Sequence, residues 1–292
     1  MRRTAAVLAV VLLMLLAGCG ARAQARLALE GRDTATTEHG AITISPQSPS
    51  IAEPEPAPSD SDSTSNPGNT NPGRRPDPTP PVRVARPRPP MMVALTFDDG
   101  PARYTEQILD LLEEHGGHAT FFVLGYRVEG WRNTILRAHR AGNEVAGHTW
   151  SHPRLIYLDD QEIMNELLTT RLAIGALVGY VPFIFRPPFG QTNDDVERVA
   201  RSIGYSLVNW TLDTRDWYPP NRCADHVYNS VMNGVEDGSI VVMHDIYAST
   251  ADAMERVIPA LIARGYTLVT VSELLYHLYG DLVPGRVYGH RQ

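Results

Sequence analysis

From residue 91 onward, short apolar runs alternate with amphipathic stretches, and the two recur in step to about residue 279. Apolar runs over 93–97, 119–124, 144–147, 183–185, 206–210, 240–243 and 267–271 predict strands. Between them, apolar residues three and four apart predict helices over 104–115, 131–141, 160–178, 194–203, 224–235, 251–264 and 272–279. Leu109, Leu111 and Leu112 give the first helix its apolar face, and Val257, Ile258 and Leu261 do the same for the sixth. Seven strand–helix alternations imply an α/β fold with a parallel sheet, either barrel or doubly wound. The count favours a barrel slightly below the usual eight units.

Residues 20–90 have none of this periodicity and are rich in Pro, Ser, Thr, Asn and Ala; 14 of the chain's 23 prolines fall between 45 and 90. Such a stretch buries too little apolar surface to offset its ordering entropy, so 19–90 reads as a disordered Pro/Ser-rich linker. Ahead of it, Arg2 and Arg3 precede an apolar run from Ala5 to Ala17. A charged start and a short apolar core predict a secretory signal peptide over 1–18, too short to span ~30 Å of hydrocarbon comfortably. Leu16-Ala17-Gly18-Cys19 resembles the bacterial lipobox, which implies that Cys19 is acylated and becomes the mature N-terminus. Two acyl chains hold a protein stably at a membrane. The expectation is a membrane-anchored lipoprotein at the cell surface, with the domain 91–292 held off the bilayer by the linker.

Charge agrees with this division. The net charge is −7, with 33 acids against 26 cations, all of them arginine. Residues 1–90 carry 10 Arg and 8 acids, whereas 91–292 carry 16 Arg and 25 acids, so the acidity (−9) belongs to the domain. That balance argues against nucleic acid as a partner. Without lysine there is no Schiff base, no P-loop lysine and no Ser–Lys dyad. Two cysteines build neither a disulfide framework nor a thiolate zinc cluster. With Cys19 acylated, Cys223 is expected to be a spectator thiol.

Polar chemistry collects where the predicted strands finish: Thr96-Phe97-Asp98-Asp99-Gly100-Pro101, His148-Thr149-Trp150-Ser151-His152, Arg186-Pro187-Pro188-Phe189-Gly190, Asp213-Thr214-Arg215-Asp216-Trp217 and His244-Asp245. In parallel α/β folds ligands bind at the carboxyl ends of strands. Each segment alone has a plain structural reading. Asp-Asp-Gly-Pro makes a turn and a helix start; a histidine pair four apart can be core or cap; Arg186 can be a simple ion pair; Trp217 and His244 can be buried packing. Together they bring five chemistry-bearing segments to one face. Two histidines four apart with an exposed carboxylate make a His₂–carboxylate set with open positions for water. His115, His118, His139, His226, His277 and His290 have no such context and read as structural or solvated.

The five segments, in this order, resemble the motifs of the polysaccharide deacetylases (the NodB homology domain, carbohydrate esterase family four), from about Met91 to Tyr279. The resemblance implies a distorted (β/α) barrel with about seven parallel strands, matching the count above. It implies Asp99, His148 and His152 as ligands of one divalent metal. Zinc is expected, with cobalt, nickel, manganese and iron chemically admissible. It implies Asp98 as general base, Arg186 as the group orienting it, His244 as general acid and Asp216 as its tether. Phe189 would offer a backbone N–H to the oxyanion, and Trp217 and Val242 would wall the acetyl methyl. Two positions depart from the family pattern. Phe189 stands where tyrosine is usual, and Val242 where leucine is usual.

The expected activity is hydrolysis of N-acetyl groups on a glycan containing N-acetylglucosamine, peptidoglycan or chitin-like. The alternatives are an O-acetyl esterase acting on xylan-type polysaccharide and a non-catalytic surface carbohydrate-binding lipoprotein. Binding alone needs only the metal triad, so Asp98, Arg186, Asp216 and His244 together favour turnover. The spacing does not by itself divide labour between Asp98 and Asp99.

Overall fold

The computed structural model describes residues 91–290; the signal peptide, Cys19 and the linker expected over 1–90 lie outside the described residues. In chain order the elements are β1 (Met91–Asp98), α1 (Thr105–His115), β2 (Thr120–Val123), α2 (Arg132–Arg140), β3 (Glu144–Gly147), α3 (Asp160–Val178), β4 (Ile184–Phe185) and α4 (Asp194–Ser202). There follow β5 (Ser206–Val208), β6 (Leu212–Asp213), α5 (Ala224–Gly234), β7 (Ser239–His244), α6 (Ala248–Ala263), β8 (Tyr266–Leu268), α7 (Val271–Tyr279) and β9 (Val287–Tyr288). Every predicted strand and helix has a counterpart here. The strand count differs: nine among the described residues rather than about seven. The two unpredicted strands, β6 and β9, have two residues each, too short to leave a hydrophobic period.

All pairings are parallel, in the order β6-β7-β1-β2-β3-β4-β5-β9, with β8 also on β1. One edge of β1 is paired by β7 from Val93 to Asp98; the other is shared by β8 at Met91–Val93 and β2 at Thr96–Asp98. This is the α/β class expected, an incompletely closed parallel barrel ending at β6 and β9. Because the strands run the same way, their carboxyl ends share one rim. Register then sets Asp98 beside His244, and Asp213 beside Val242.

The two-residue pleat sorts side chains between two layers. Val93, Leu95 and Phe97 of β1, with Val241 and Met243 of β7, face outward onto Ile108, Leu109 and Leu112 of α1 and Val257, Ile258 and Leu261 of α6. Each of those helix side chains is fully buried, a burial of about 1.5–3 kcal/mol apiece. Inward-facing Ala94, Phe122, Ala146, Ile184, Val208 and Ile240 come from six strands and pack on Val271, Leu274 and Leu275 of α7. The same alternation carries inward to Thr96, Asp98, His148, Arg186 and His244, so the pleat aims the polar rim into the barrel mouth. Capping boxes fix the starts of α3 (Asp159 with Glu162) and α7 (Thr270 with Glu273). Cys223 stands immediately before α5. Among the described residues no helix is long and apolar enough to cross a membrane.

Candidate active site

Arg186 forms the floor. It is fully buried, and its guanidinium donates from Nη1 to Asp98 Oδ1 (2.7 Å) and Thr96 Oγ1 (2.7 Å), from Nε to the Val208 carbonyl (3.1 Å) and from Nη2 to the Asn209 carbonyl (3.1 Å). Its carbon centre lies 4.1 Å over the Phe122 ring. So many fixed acceptors leave the cation one pose, which is how a buried ion pair offsets its desolvation. Burial pushes the Asp98 carboxyl above its ordinary range, and the adjacent guanidinium opposes that rise. The result is a carboxylate with raised proton affinity held in one orientation.

Asp99 follows in a left-handed turn (φ 69°) and faces the histidines instead. Its Oδ1 lies 3.6 Å from His148 Nε2 and 3.4 Å from His152 Nε2. His148 Nδ1 is bonded to the Arg186 carbonyl at 2.8 Å, which fixes the tautomer with Nε2 turned towards Asp99. Burial lowers the His148 pKa to about 3, so the ring is neutral, the form that ligates metals. One ligand atom from each of Asp99, His148 and His152 lies within 4.8 Å of the others. Asp99 Oδ1 is buried with no hydrogen-bond partner. An orphaned anionic oxygen facing an imidazole lone pair is repulsive until a cation lies between them, so this trio fits a divalent metal.

The loop bearing the histidines is held open at a cost. Asp99, Thr149, His152, Phe189 and Arg215 have positive φ, the non-glycine residues that do so among those described, and all five lie in loops at this rim. Left-handed backbone at bulky residues costs roughly 1–3 kcal/mol and persists where the surroundings enforce it. Glu166 of α3 enforces it here, accepting from Trp150 N (2.7 Å), Ser151 N (2.8 Å) and Ser151 Oγ (2.7 Å).

Opposite stands His244, the last residue of β7. Its Nδ1 is bonded to Asp216 Oδ1 at 2.7 Å, while Asp216 Oδ2 accepts from the His244 backbone N–H and from Thr250 Oγ1, both at 2.7 Å. Asp216 is fully buried. Burial by itself would lower the imidazole pKa, but the Asp216 hydrogen bond and charge outweigh it and raise it to about 9. The free Nε2 of this imidazolium lies 4.0 Å from Asp99 Oδ2.

The structure therefore brings together Asp98, Asp99, His148, His152, Arg186, Asp216 and His244. Phe189 joins them, its ring 4.7 Å from that of His152. Trp217 is exposed on the rim beside Asp216 and packs edge-on against Tyr218. Val242 is buried one pleat below His244, in register with Thr96. Supporting residues escaped the sequence reading. Asn209 donates from Nδ2 to the carbonyls of Gly190 (2.9 Å) and His290 (3.0 Å), tying the Phe189 loop to the chain's end. Thr96 and Thr250 hold the two carboxylates. Asp245 is buried, its carboxyl pushed up to about 7 by that burial, and accepts from Thr105 Oγ1 at 2.5 Å. It occupies the space beside Gly100, where a Cβ would lie 2.2 Å from both of its carboxylate oxygens. Asp245 was visible only as the neighbour of His244; Asn209 left no signal at all.

The polysaccharide deacetylase family model matches residues 85–208. Peptidoglycan-N-acetylmuramic acid deacetylase PdaC of Bacillus subtilis is 42% identical over 184 residues, which are 63% of this chain and 38% of that protein. This chain thus spans less than two-fifths of that relative's length. A peptidoglycan-N-acetylglucosamine deacetylase of Bacillus cereus is 36% identical over 190 residues, covering 63% of this chain and 88% of that one. Among solved structures, peptidoglycan deacetylase PdaC from Bacillus subtilis superposes with a TM-score of 0.61 at 41% identity, covering 64% of this chain and 90% of that chain.

Proposed function

The chain belongs to the polysaccharide deacetylase family, and we propose that it is a metal-dependent hydrolase removing N-acetyl groups from an N-acetylglucosamine-containing glycan, with peptidoglycan as substrate. The names of its relatives support the substrate class. The observation that carries the reading is the pair of opposed proton-transfer groups, Asp98 on Arg186 and His244 on Asp216, flanking the Asp99–His148–His152 trio. A protein that only bound sugar or metal would have no use for a cationic imidazole buried against a carboxylate.

Asp99, His148 and His152 would hold a divalent cation, zinc in this reading, whose Lewis acidity would acidify water and polarise the amide carbonyl. Asp98 takes the proton of the attacking water; burial gives the carboxylate its proton affinity, and Arg186 keeps it aimed. Charge developing on the carbonyl oxygen is met by the Phe189 backbone N–H, preset by its left-handed turn. Breaking the C–N bond requires a protonated amine. His244 gives up its Nε2 proton to that nitrogen while its Nδ1–H stays on the ring, hydrogen-bonded to Asp216 Oδ1, and the products are acetate and a free amino sugar. Trp217 and Val242 flank the acetyl methyl.

The Leu16–Cys19 segment supports a further reading, in which signal peptidase removes 1–18 and an acylated Cys19 anchors the mature chain at the cell surface. The intact mass of the mature protein tests it. A diacylglyceryl thioether at Cys19 is expected, and a Cys19–Cys223 disulfide would exclude it. The activity is tested by acetate release from peptidoglycan, N-acetylated chitooligosaccharide and acetylxylan. Acetate from peptidoglycan is expected; release from acetylxylan alone would replace this reading with an O-acetyl esterase.

A further inference from the structure

The domain is acidic, yet the rim of its site presents guanidinium groups with no carboxylate beside them. Elsewhere on the surface, Arg132, Arg137, Arg198 and Arg256 each pair with an acid. Arg154, two residues past His152, does not. It is exposed, its Nη1 donates to Gln191 Oε1 at 2.7 Å, and its carbon centre lies 4.1 Å over the Phe189 ring. That ring is itself 4.7 Å from His152. Among the described residues no carboxylate lies within ion-pair distance of Arg154, and its Nε–Nη2 edge makes no hydrogen bond. On the other side of the site, Arg222 lies 4.5 Å over Tyr247, whose ring is 5.9 Å from that of His244. Arg222, however, spends Nε and Nη2 on the Trp217 carbonyl. Arg154 alone of the two keeps the planar edge that matches a carboxylate bidentately.

One aromatic ring separates that guanidinium from a proposed metal ligand. Stacking on Phe189 holds the guanidinium plane and lowers the entropy cost of engaging a second group. N-acetylmuramic acid differs from N-acetylglucosamine by a lactyl ether that carries a carboxylate.

Resting on the deacetylase reading above, we propose that Arg154 is a specificity residue. Its Nε–Nη2 edge pairs with a carboxylate borne by the glycan close to the acetamido group being cleaved, so that the chain prefers an anionic, peptidoglycan-type substrate over a neutral chitin-like one. The carboxylate has two possible sources, the lactyl group itself or the peptide stem attached to it.

The test uses the full chain loaded with metal and measures kcat/KM for acetate release from three substrates. These are glycan strands stripped of peptide, which expose the lactyl carboxylate; stem-bearing strands, in which that group is amidated; and neutral N-acetylglucosamine oligosaccharides. Wild type should prefer one of the anionic substrates, and raised salt should erode the preference. In Arg154→Gln the preference ratio should fall about fivefold, mainly through KM, as expected for an exposed charge pair, and Arg154→Lys should recover part of it. A fall confined to stripped strands assigns the lactyl group, and one confined to stem-bearing strands assigns the stem. A ratio that Arg154→Gln leaves the same, including an equal loss on all three substrates, overturns the proposal. No acetate from any substrate with wild type overturns the deacetylase reading itself, a different and recognisable result.

Discussion

Replacing Asp216 by asparagine removes one charge and keeps the shape. The carboxylate is fully buried and accepts three hydrogen bonds, from His244 N–H, His244 Nδ1–H and Thr250 Oγ1–H. An amide cannot accept all three. Its oxygen best replaces Oδ2, which serves the backbone and Thr250, and the NH₂ group then faces Nδ1. That nitrogen must become an acceptor, and the ring a neutral Nε2–H tautomer. Raising the imidazole from 6.5 to about 9 corresponds to about 3 kcal/mol of preference for imidazolium. Burial acts in the opposite sense, and without Asp216 only the charges of Asp98 and Asp99 remain against it, so the pKa should fall. At pH 7.5 the imidazolium fraction then drops from the about 97% that a pKa of about 9 gives. A lost general acid costs roughly 10²–10⁴ in rate. Because His244 must be protonated to act, its titration limits activity on the alkaline side. Acetate release from pH 5 to 10, at saturating metal, should show that limb near pH 9 in wild type and displaced to lower pH in Asp216→Asn, with kcat at pH 7.5 down about a hundredfold. Metal content should not change. A variant whose alkaline limb stays near 9, or whose loss is the same at every pH, would refute the role given to Asp216.

Gly100→Ala should destabilise the fold through the overlap with Asp245, by about 1–3 kcal/mol or several degrees of melting temperature in calorimetry; an unchanged melting temperature would show that Asp245 moves aside freely. Asn209→Ala leaves the Gly190 and His290 carbonyls without their donor, so about 1–2 kcal/mol of stability should be lost together with several-fold in kcat, read by denaturant unfolding and acetate release. A stability loss with normal kcat would mean the Phe189 loop needs no brace.

Most of the architecture was legible because it follows from period. The strand at 144–147 and the helix at 160–178 stand where hydrophobic spacing puts them. The polar residues at the strand ends were legible because a parallel sheet sends those ends to one rim. Spacing could not separate Asp98 from Asp99; the fold does, since the inward pleat hands the first to Arg186 and a left-handed turn swings the second to the histidines. The residues that hold the site steady were silent for a related reason. Thr250 reaches Asp216 across 34 positions and Thr105 reaches Asp245 across 140, contacts that leave no local pattern. Strands β6 and β9 were missed because two residues carry no period.

The central claim is that the trio Asp99, His148 and His152 holds one catalytic cation against the two proton-transfer groups. Stripping the protein with chelator and titrating a divalent ion back, while following acetate release from peptidoglycan, tests it most directly. Activity should vanish on stripping and return at one equivalent of ion per chain, and His148→Ala should neither bind the ion tightly nor recover. Full activity in the stripped protein, or in His148→Ala, would contradict the account.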